Sequence, residues 1–399
     1  MEDLKQFLMQ SDTLVIFRRL REDAVISALL DTLDHIDSGR NEDALRSYGK
    51  LLSALYPTTE DLTAYITKAI LEDENLYVLR KGEGKKTGLK LEACLACELA
   101  FFEELAKTPC SFITGRLDYD GFLPEYDIDE DADLSKIYAD RLHAISEIGY
   151  GVYSKFHVFM VENGRLKPVE YPDSIRLSQL HGYENERERV IANTLALLDG
   201  KPANNVLLYG DCGTGKSSTV KAIANEYASR GLRLIELKKK QLHEIPSIVE
   251  TISRNPLKFI VFIDDLSFTE DDNDYAALKA ILEGSVASTA SNLAIYATSN
   301  RRHLVRETFT SRKGDEIHFR DTVQELLSLS DRFGLTVTFQ QPDKKLYLDL
   351  VDRLAEDYGV DIPLPELEAK AESFALRRGG RSPRTAKQFI ELIKGSVNC

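Results

Sequence analysis

The chain of 399 residues has no tryptophan, only three methionines and seven histidines, and no apolar run long enough to cross a bilayer. It also lacks an excess of basic charge: 51 Lys and Arg stand against 65 Asp and Glu, a formal net charge of −14. That balance opposes tight, sequence-independent binding to nucleic acid, which depends on neutralising phosphates, although it leaves room for a local basic face. The opening Met-Glu-Asp-Leu-Lys-Gln-Phe does not have the basic-then-apolar order of a signal peptide, so a cytoplasmic protein with no membrane association is expected. Five cysteines, an odd number, fit reduced thiols better than a disulfide framework. Cys94 and Cys97 form C-x-x-C, but the run Leu89 to Leu105 around them holds no second pair and no histidine. Packed thiols are expected there in place of a zinc or redox site.

What is present is the composition of a soluble globular protein, 43% hydrophobic and 29% charged, in a chain too long for one ordinary core. Residues 1–175 read as a mainly helical N-terminal domain. Asp23 to Ile36 and Ala44 to Leu55 repeat apolar residues at three- and four-residue intervals. The segment Asp118 to Asp133 carries eight acidic residues and no basic one. It is not an EF-hand, because Ala132 and Tyr138 occupy the places of its glycine and its bidentate Glu, so a solvated acidic loop is expected. Phe156 to Val161 and Arg165 to Val169 flank Asn163-Gly164 and read as a hairpin.

Residues 176–340 alternate short apolar strands with helices. The strands are Asn205 to Tyr209, Leu232 to Leu237, Phe259 to Ile263, Leu293 to Thr298 and Leu335 to Phe339. This pattern predicts a five-stranded parallel sheet buried on both faces. Residues 341–399 return to helices and read as a lid on that sheet.

Chemistry concentrates in this second region. Gly210, Gly215, Lys216 and Ser217 match G-x-x-x-x-G-K-[ST], between a strand and a helix. Glycines there let backbone amides curl round phosphates, and the following helix presents its positive end. The loop Gly210, Asp211, Cys212, Gly213, Thr214, Gly215 with Lys216, Ser217 and Ser218 is the candidate phosphate cradle. Lys216 would reach the β- and γ-phosphates and Ser217 would hold Mg²⁺. A second carboxylate for the metal is expected at the end of a neighbouring strand, and Asp264-Asp265 after Phe259-Ile-Val-Phe-Ile263 supplies it: Asp264 for Mg²⁺, Asp265 as base. Asn300 at the end of the next strand is a candidate sensor of the γ-phosphate. Arg332 and Arg384 are candidates for stabilising transferred charge.

Gly210 to Ser217, Asp264-Asp265, Asn300, Ser330-Asp-Arg-Phe333 and Ser382-Pro-Arg-Thr-Ala386 resemble, in order, the Walker A, Walker B, sensor 1, arginine-finger and sensor 2 elements of AAA+ ATPases, over residues 180–395. Leu180-His-Gly-Tyr183 resembles the short motif that packs against adenine in that superfamily, which makes Gly182 and Tyr183 candidate base contacts. Asp264-Asp-Leu-Ser-Phe268, Tyr296 to Leu304 and Leu327 to Leu335 look like an uncharacterised bacterial AAA+ family known as a domain of unknown function. The resemblance implies a five-stranded α/β core with a helical lid, ATP and Mg²⁺ as ligands, and a homo-oligomer in which Arg332 acts in trans. Asp265 stands where most AAA+ enzymes carry Glu, though it fits the narrower family's pattern.

The leading expectation is therefore a Mg²⁺-dependent ATPase coupling nucleotide turnover to conformational change or partner remodelling, with residues 1–175 as the site for a protein partner. A nucleotide-gated scaffold with slow turnover, a DNA-associated ATPase and a small-molecule kinase are the alternatives. Basic clusters at Lys238 to Lys240, Arg301-Arg302 and Arg377-Arg378 with Arg381 lack interleaved aromatics and read as solvated faces. No aromatic residue occurs in Lys238 to His243, where protein-threading relatives project a pore loop.

Overall fold

In the computed structural model the described residues are 4–266, 278–279, 281–282, 291–300 and 332–397. They fall into two compact units, Met1–Lys155 and Phe156–Cys399.

The first unit is helical. Its main helices are Leu4–Asp12, Ala24–Asp37, Asn41–Leu55, Leu62–Glu72, Leu76–Gly82, Leu89–Ala106 and Leu134–His143. Aspartates start three of them: Asp23 accepts from the amides of Val25 and Ile26, Asp61 from Ala64, and Asp133 from Lys136. The core gathers Phe17, Tyr48, Phe101 and Phe102, with Phe17 edge-on to Phe102 at 5.7 Å between centroids. The acidic segment is stitched down by backbone bonds from Leu62 N to Asp127 O and from Asp127 N to Glu60 O. Among the described residues no group of three or more His, Cys, Asp or Glu could hold a metal ion. Cys94 is partly buried against the core, whereas Cys97 is exposed, so only one of the two thiols is packed.

Glu98 is the polar centre of this unit. It is 6% exposed and its carboxylate accepts from the amides of Val15, Ile16 and Phe17 at 2.9–3.1 Å, which holds a non-helical turn. Glu98→Gln would turn an amide donor toward those amides. The expected loss is about 2–3 kcal/mol, read as a lower denaturant midpoint; an unchanged midpoint would show that the carboxylate contributes little.

The second unit is built on a sheet of seven strands: β1 Val158–Glu162, β2 Arg165–Pro168, β3 Val206–Gly210, β4 Leu232–Leu237, β5 Lys258–Ile263, β6 Leu293–Ser299 and β7 Leu335–Phe339. Their order is β2-β1-β4-β5-β6-β3-β7, all parallel except the β1–β2 pair. The expected five-strand count is thus too low. The hairpin around Asn163-Gly164 does not end a helical domain; β1 pairs with β4, Phe159 opposite Ile235, and extends the sheet by two strands. Residues 259–263 of β5 are all buried, as a central parallel strand covered on both faces requires.

Helices Lys344–Tyr358, Leu364–Arg377 and Pro383–Val397 follow β7 and share a core of Tyr347, Leu350, Val351, Phe374 and Ile390. Asp343 caps the first through Leu346 N at 2.8 Å, and Gly359, at φ 62°, ends it. No helix among the described residues is long and apolar enough to cross a membrane.

Candidate functional site

The site begins where β3 ends. Gly210 takes φ 138°, and a Cβ there would run into the carbonyl of Phe339 on the neighbouring β7, so only glycine fits. Asp211 N donates to that same carbonyl at 3.1 Å. Gly213 and Gly215 also take positive φ, 78° and 91°, and the chain then enters helix Lys216–Glu226. Thr214 and Thr219 brace the turn by donating to Asp211 O and Gly215 O, each at 2.9 Å. The loop therefore wraps the N-terminal end of a helix, where amides and the helix dipole favour an anion.

Lys216 is 6% exposed, and its ammonium donates to Gly210 O at 3.0 Å, Asp211 O at 2.7 Å and Asn300 Oδ1 at 3.0 Å. Burial pulls its pKa below the usual lysine value, against the field of Cys212, Asp211, Asp264 and Asp265, which favours the charged form. Asn300 in turn donates through Nδ2 to Asp265 Oδ1 at 2.8 Å. One amide thus links the buried cation to the second carboxylate and can make both bonds in only one orientation. Asp265 itself takes φ 53°, a region that among non-glycine residues Asp and Asn enter most readily.

Asp264 receives three donors on Oδ1: Ser217 Oγ at 2.6 Å, Thr298 Oγ1 at 2.5 Å and the amide of Asp265 at 3.2 Å. Thr298 Oγ1 also accepts from Asp265 N at 3.0 Å, so one hydroxyl sets both carboxylates. Asp264 follows β5, which β6 separates from β3, and not a strand directly beside β3. The donor set Ser217 hydroxyl plus Asp264 carboxylate is all hard oxygen, which suits Mg²⁺ completed by water and phosphate oxygens.

These groups line one cavity of about 1140 Å³. Cys212, Gly213, Thr214, Gly215, Lys216, Ser217, Ser218, Asp264, Asp265, Asn300 and Arg384 all reach it. Arg384 stands beside the loop, its amide donating to Gly213 O at 3.2 Å. Four expected contacts are not among the residues that line it. Gly210 is covered by Phe339, and Asp211 accepts through its carboxylate from Gln341 N at 2.7 Å. Tyr183 packs on Phe339 at 5.4 Å and donates to Gln340 O at 2.6 Å, while Gly182 lies against Leu350 and Leu346. Leu180 and His181 of the same motif do line the cavity. Arg332 lies just before β7 and outside that lining. Ser330, Asp331, Arg301 and Arg302 fall outside the described residues.

Sequence reasoning missed Thr298, the wall residues Asp173, Ser174, Ile175, Ser178 and Gln179, and the lid residues Leu350, Leu354, Asp357 and Tyr358, all of which line the cavity. Thr298 had a signal, its place in Ala297-Thr-Ser-Asn300 at a strand end beside the P-loop strand. Leu350 and Leu354 had none, since apolar lid positions read alike whether they face a core or a ligand.

The family model described as a protein of unknown function (DUF815) matches residues 153–397. The 26S proteasome regulatory subunit 6B homolog of Schizosaccharomyces pombe is 34% identical over 115 residues, covering 25% of this chain and 29% of that protein. The 26S proteasome regulatory subunit 4 homolog of Dictyostelium discoideum is 39% identical over 71 residues, 16% of each. The chain thus spans less than a third of the length of these curated relatives. Among solved structures, the Thermotoga maritima RuvB Holliday junction branch migration motor aligns with a TM-score of 0.38 and 18% identity, over 54% of this chain and 63% of that one.

Proposed function

Because the chain belongs to the family described as a protein of unknown function (DUF815), within the AAA+ P-loop superfamily, we propose that it is a Mg²⁺-dependent ATPase coupling nucleotide turnover to conformational change. The observation that carries this reading is the convergence of Lys216, Asn300, Asp265, Ser217 and Asp264 at the mouth of one glycine loop. On this reading loop amides and Lys216 bind the triphosphate, giving up the contacts of the lysine with Gly210 O and Asp211 O. Ser217 and Asp264 hold Mg²⁺, which when bound offsets phosphate charge. Asp265, oriented by Asn300, takes a proton from the attacking water. Arg384 steadies charge on the transferred group from the lid side, and Arg332 completes the site of a neighbouring copy. The helical unit Met1–Lys155 recruits a protein partner, in the cytoplasm.

Phosphate release from ATP by the full chain, present with Mg²⁺ and lost in EDTA, is the expected result. Release no greater than a protein-free control under both conditions would sink the reading. The short reach of Asp265, tied to Asn300 at 2.8 Å, favours as second reading a slowly turning nucleotide-gated scaffold. ATP-dependent assembly in the absence of brisk turnover would select it.

A further inference from the structure

We propose that Asn225 is a positioning residue that fixes the wall of the cavity on which the nucleoside part of the ligand rests, an inference that stands on the nucleotide-binding reading above. Asn225 closes the C-terminal end of the helix that begins at Lys216 and is 9% exposed. Its Nδ2 donates to Asp173 O at 2.7 Å and Ile175 O at 2.8 Å. Both amide protons are spent on backbone carbonyls, so Oδ1 faces His157 at 2.9 Å and His157 Nε2 carries the proton. The main chain joins in, with Arg176 Nη1 donating to Asn225 O at 2.9 Å.

What Asn225 holds is a piece of the site. Asp173, Ser174, Ile175, Ser178, Gln179 and Leu180 line the cavity. The turn Leu177–Gln179 is pinned locally by Arg176 N to Gln179 Oε1 at 2.8 Å, and Asp173 to Ile175, which lie in no regular helix or strand, have the local bond from Ile175 N to Asp173 Oδ1 at 3.1 Å beside the grip of Asn225. The segment therefore takes its position from the side chain that grips it. Lys216 and Asn225 sit on one helix, nine residues and so about 13 Å apart along its axis. Phosphate loop and wall ride on a single rigid rod.

A triphosphate held by the loop places its sugar and base further along, toward the wall. Ile175 and Leu180 from the wall and Leu350, Leu354 and Tyr358 from the lid offer that part an apolar lining. Asn225 then governs affinity for the nucleoside and leaves the triphosphate contribution untouched. Arg384, Lys216 and the loop amides do not depend on it.

The test is binding of ATP and of tripolyphosphate to the full chain, each by displacement of a fluorescent ATP analogue, for the wild type, Asn225→Ala and Asn225→Asp. Asn225→Ala removes two buried donors and is expected to weaken ATP about tenfold while tripolyphosphate stays within about twofold. Asn225→Asp is isosteric but sets a carboxylate against two carbonyl oxygens, so ATP weakens further than with alanine. In steady state KM for ATP rises and kcat holds. Arg176→Ala, at an exposed position, gives the same selective loss at about threefold and serves if the Asn225 variants do not fold. Equal weakening of ATP and tripolyphosphate, or wild-type ATP affinity in Asn225→Asp, would overturn the proposal. A wild-type chain that binds neither ligand would instead overturn the nucleotide-binding reading beneath it.

Discussion

Lys216→Ala is expected to weaken ATP binding by two orders of magnitude or more and to abolish turnover. The ammonium is the buried cation of the loop, and burial that lowers its pKa also lowers the local dielectric in which it would meet phosphate. Three acceptors, Gly210 O, Asp211 O and Asn300 Oδ1, converge on it. Alanine leaves them without that donor and leaves Asn300 free to turn from Asp265. The loss is therefore larger than one charge–charge contact, since the carboxylate loses its orientation as well. Displacement of a fluorescent ATP analogue measures it, with a thermal melt to establish that the sheet has formed. Wild-type affinity in a folded Lys216→Ala would remove the loop from the mechanism.

Asp265→Asn should separate binding from chemistry. Asparagine is as tolerant as aspartate of the left-handed backbone at φ 53°, so the local fold is kept. Its amide cannot accept a proton from water, and removing a general base costs typically 10²–10⁴-fold. The expected outcome is ATP affinity within a few-fold of wild type and single-turnover hydrolysis slower by at least about a hundredfold. Hydrolysis at the wild-type rate would assign the base elsewhere. Together these outcomes would place the cation in binding and the second carboxylate in the bond-breaking step.

Much of the second unit is legible in sequence because its signals are local. A buried parallel strand such as Phe259-Ile-Val-Phe-Ile263 is an uninterrupted apolar run, and the glycines of the loop announce their positive φ values by being glycine. The hairpin around Asn163-Gly164 is legible as a hairpin. Its pairing with β4 is not, because the partner lies some seventy residues along the chain. Tyr183 reads as a base contact from the resemblance of Leu180-His-Gly-Tyr183 to a family motif; with φ 67° at Gly182 and 59° at Tyr183, its ring packs on Phe339, and Tyr183 is not among the residues that line the cavity. Asn225 carries no signal at all, since a polar residue near a helix end is ordinary until the carbonyls it meets are known.

The hairpin has a practical consequence for anyone who would cut this chain. A fragment begun at residue 176, where the sequence changes texture, would discard β1 and β2 and strip β4 of its neighbour, baring the backbone of Leu234 to Glu236 as an open edge prone to self-pairing. It would also remove His157, Asp173 and Ile175, three of the groups that Asn225 grips. The second compact unit begins at Phe156, so a cut made there keeps β1, β2 and the grip of Asn225 together.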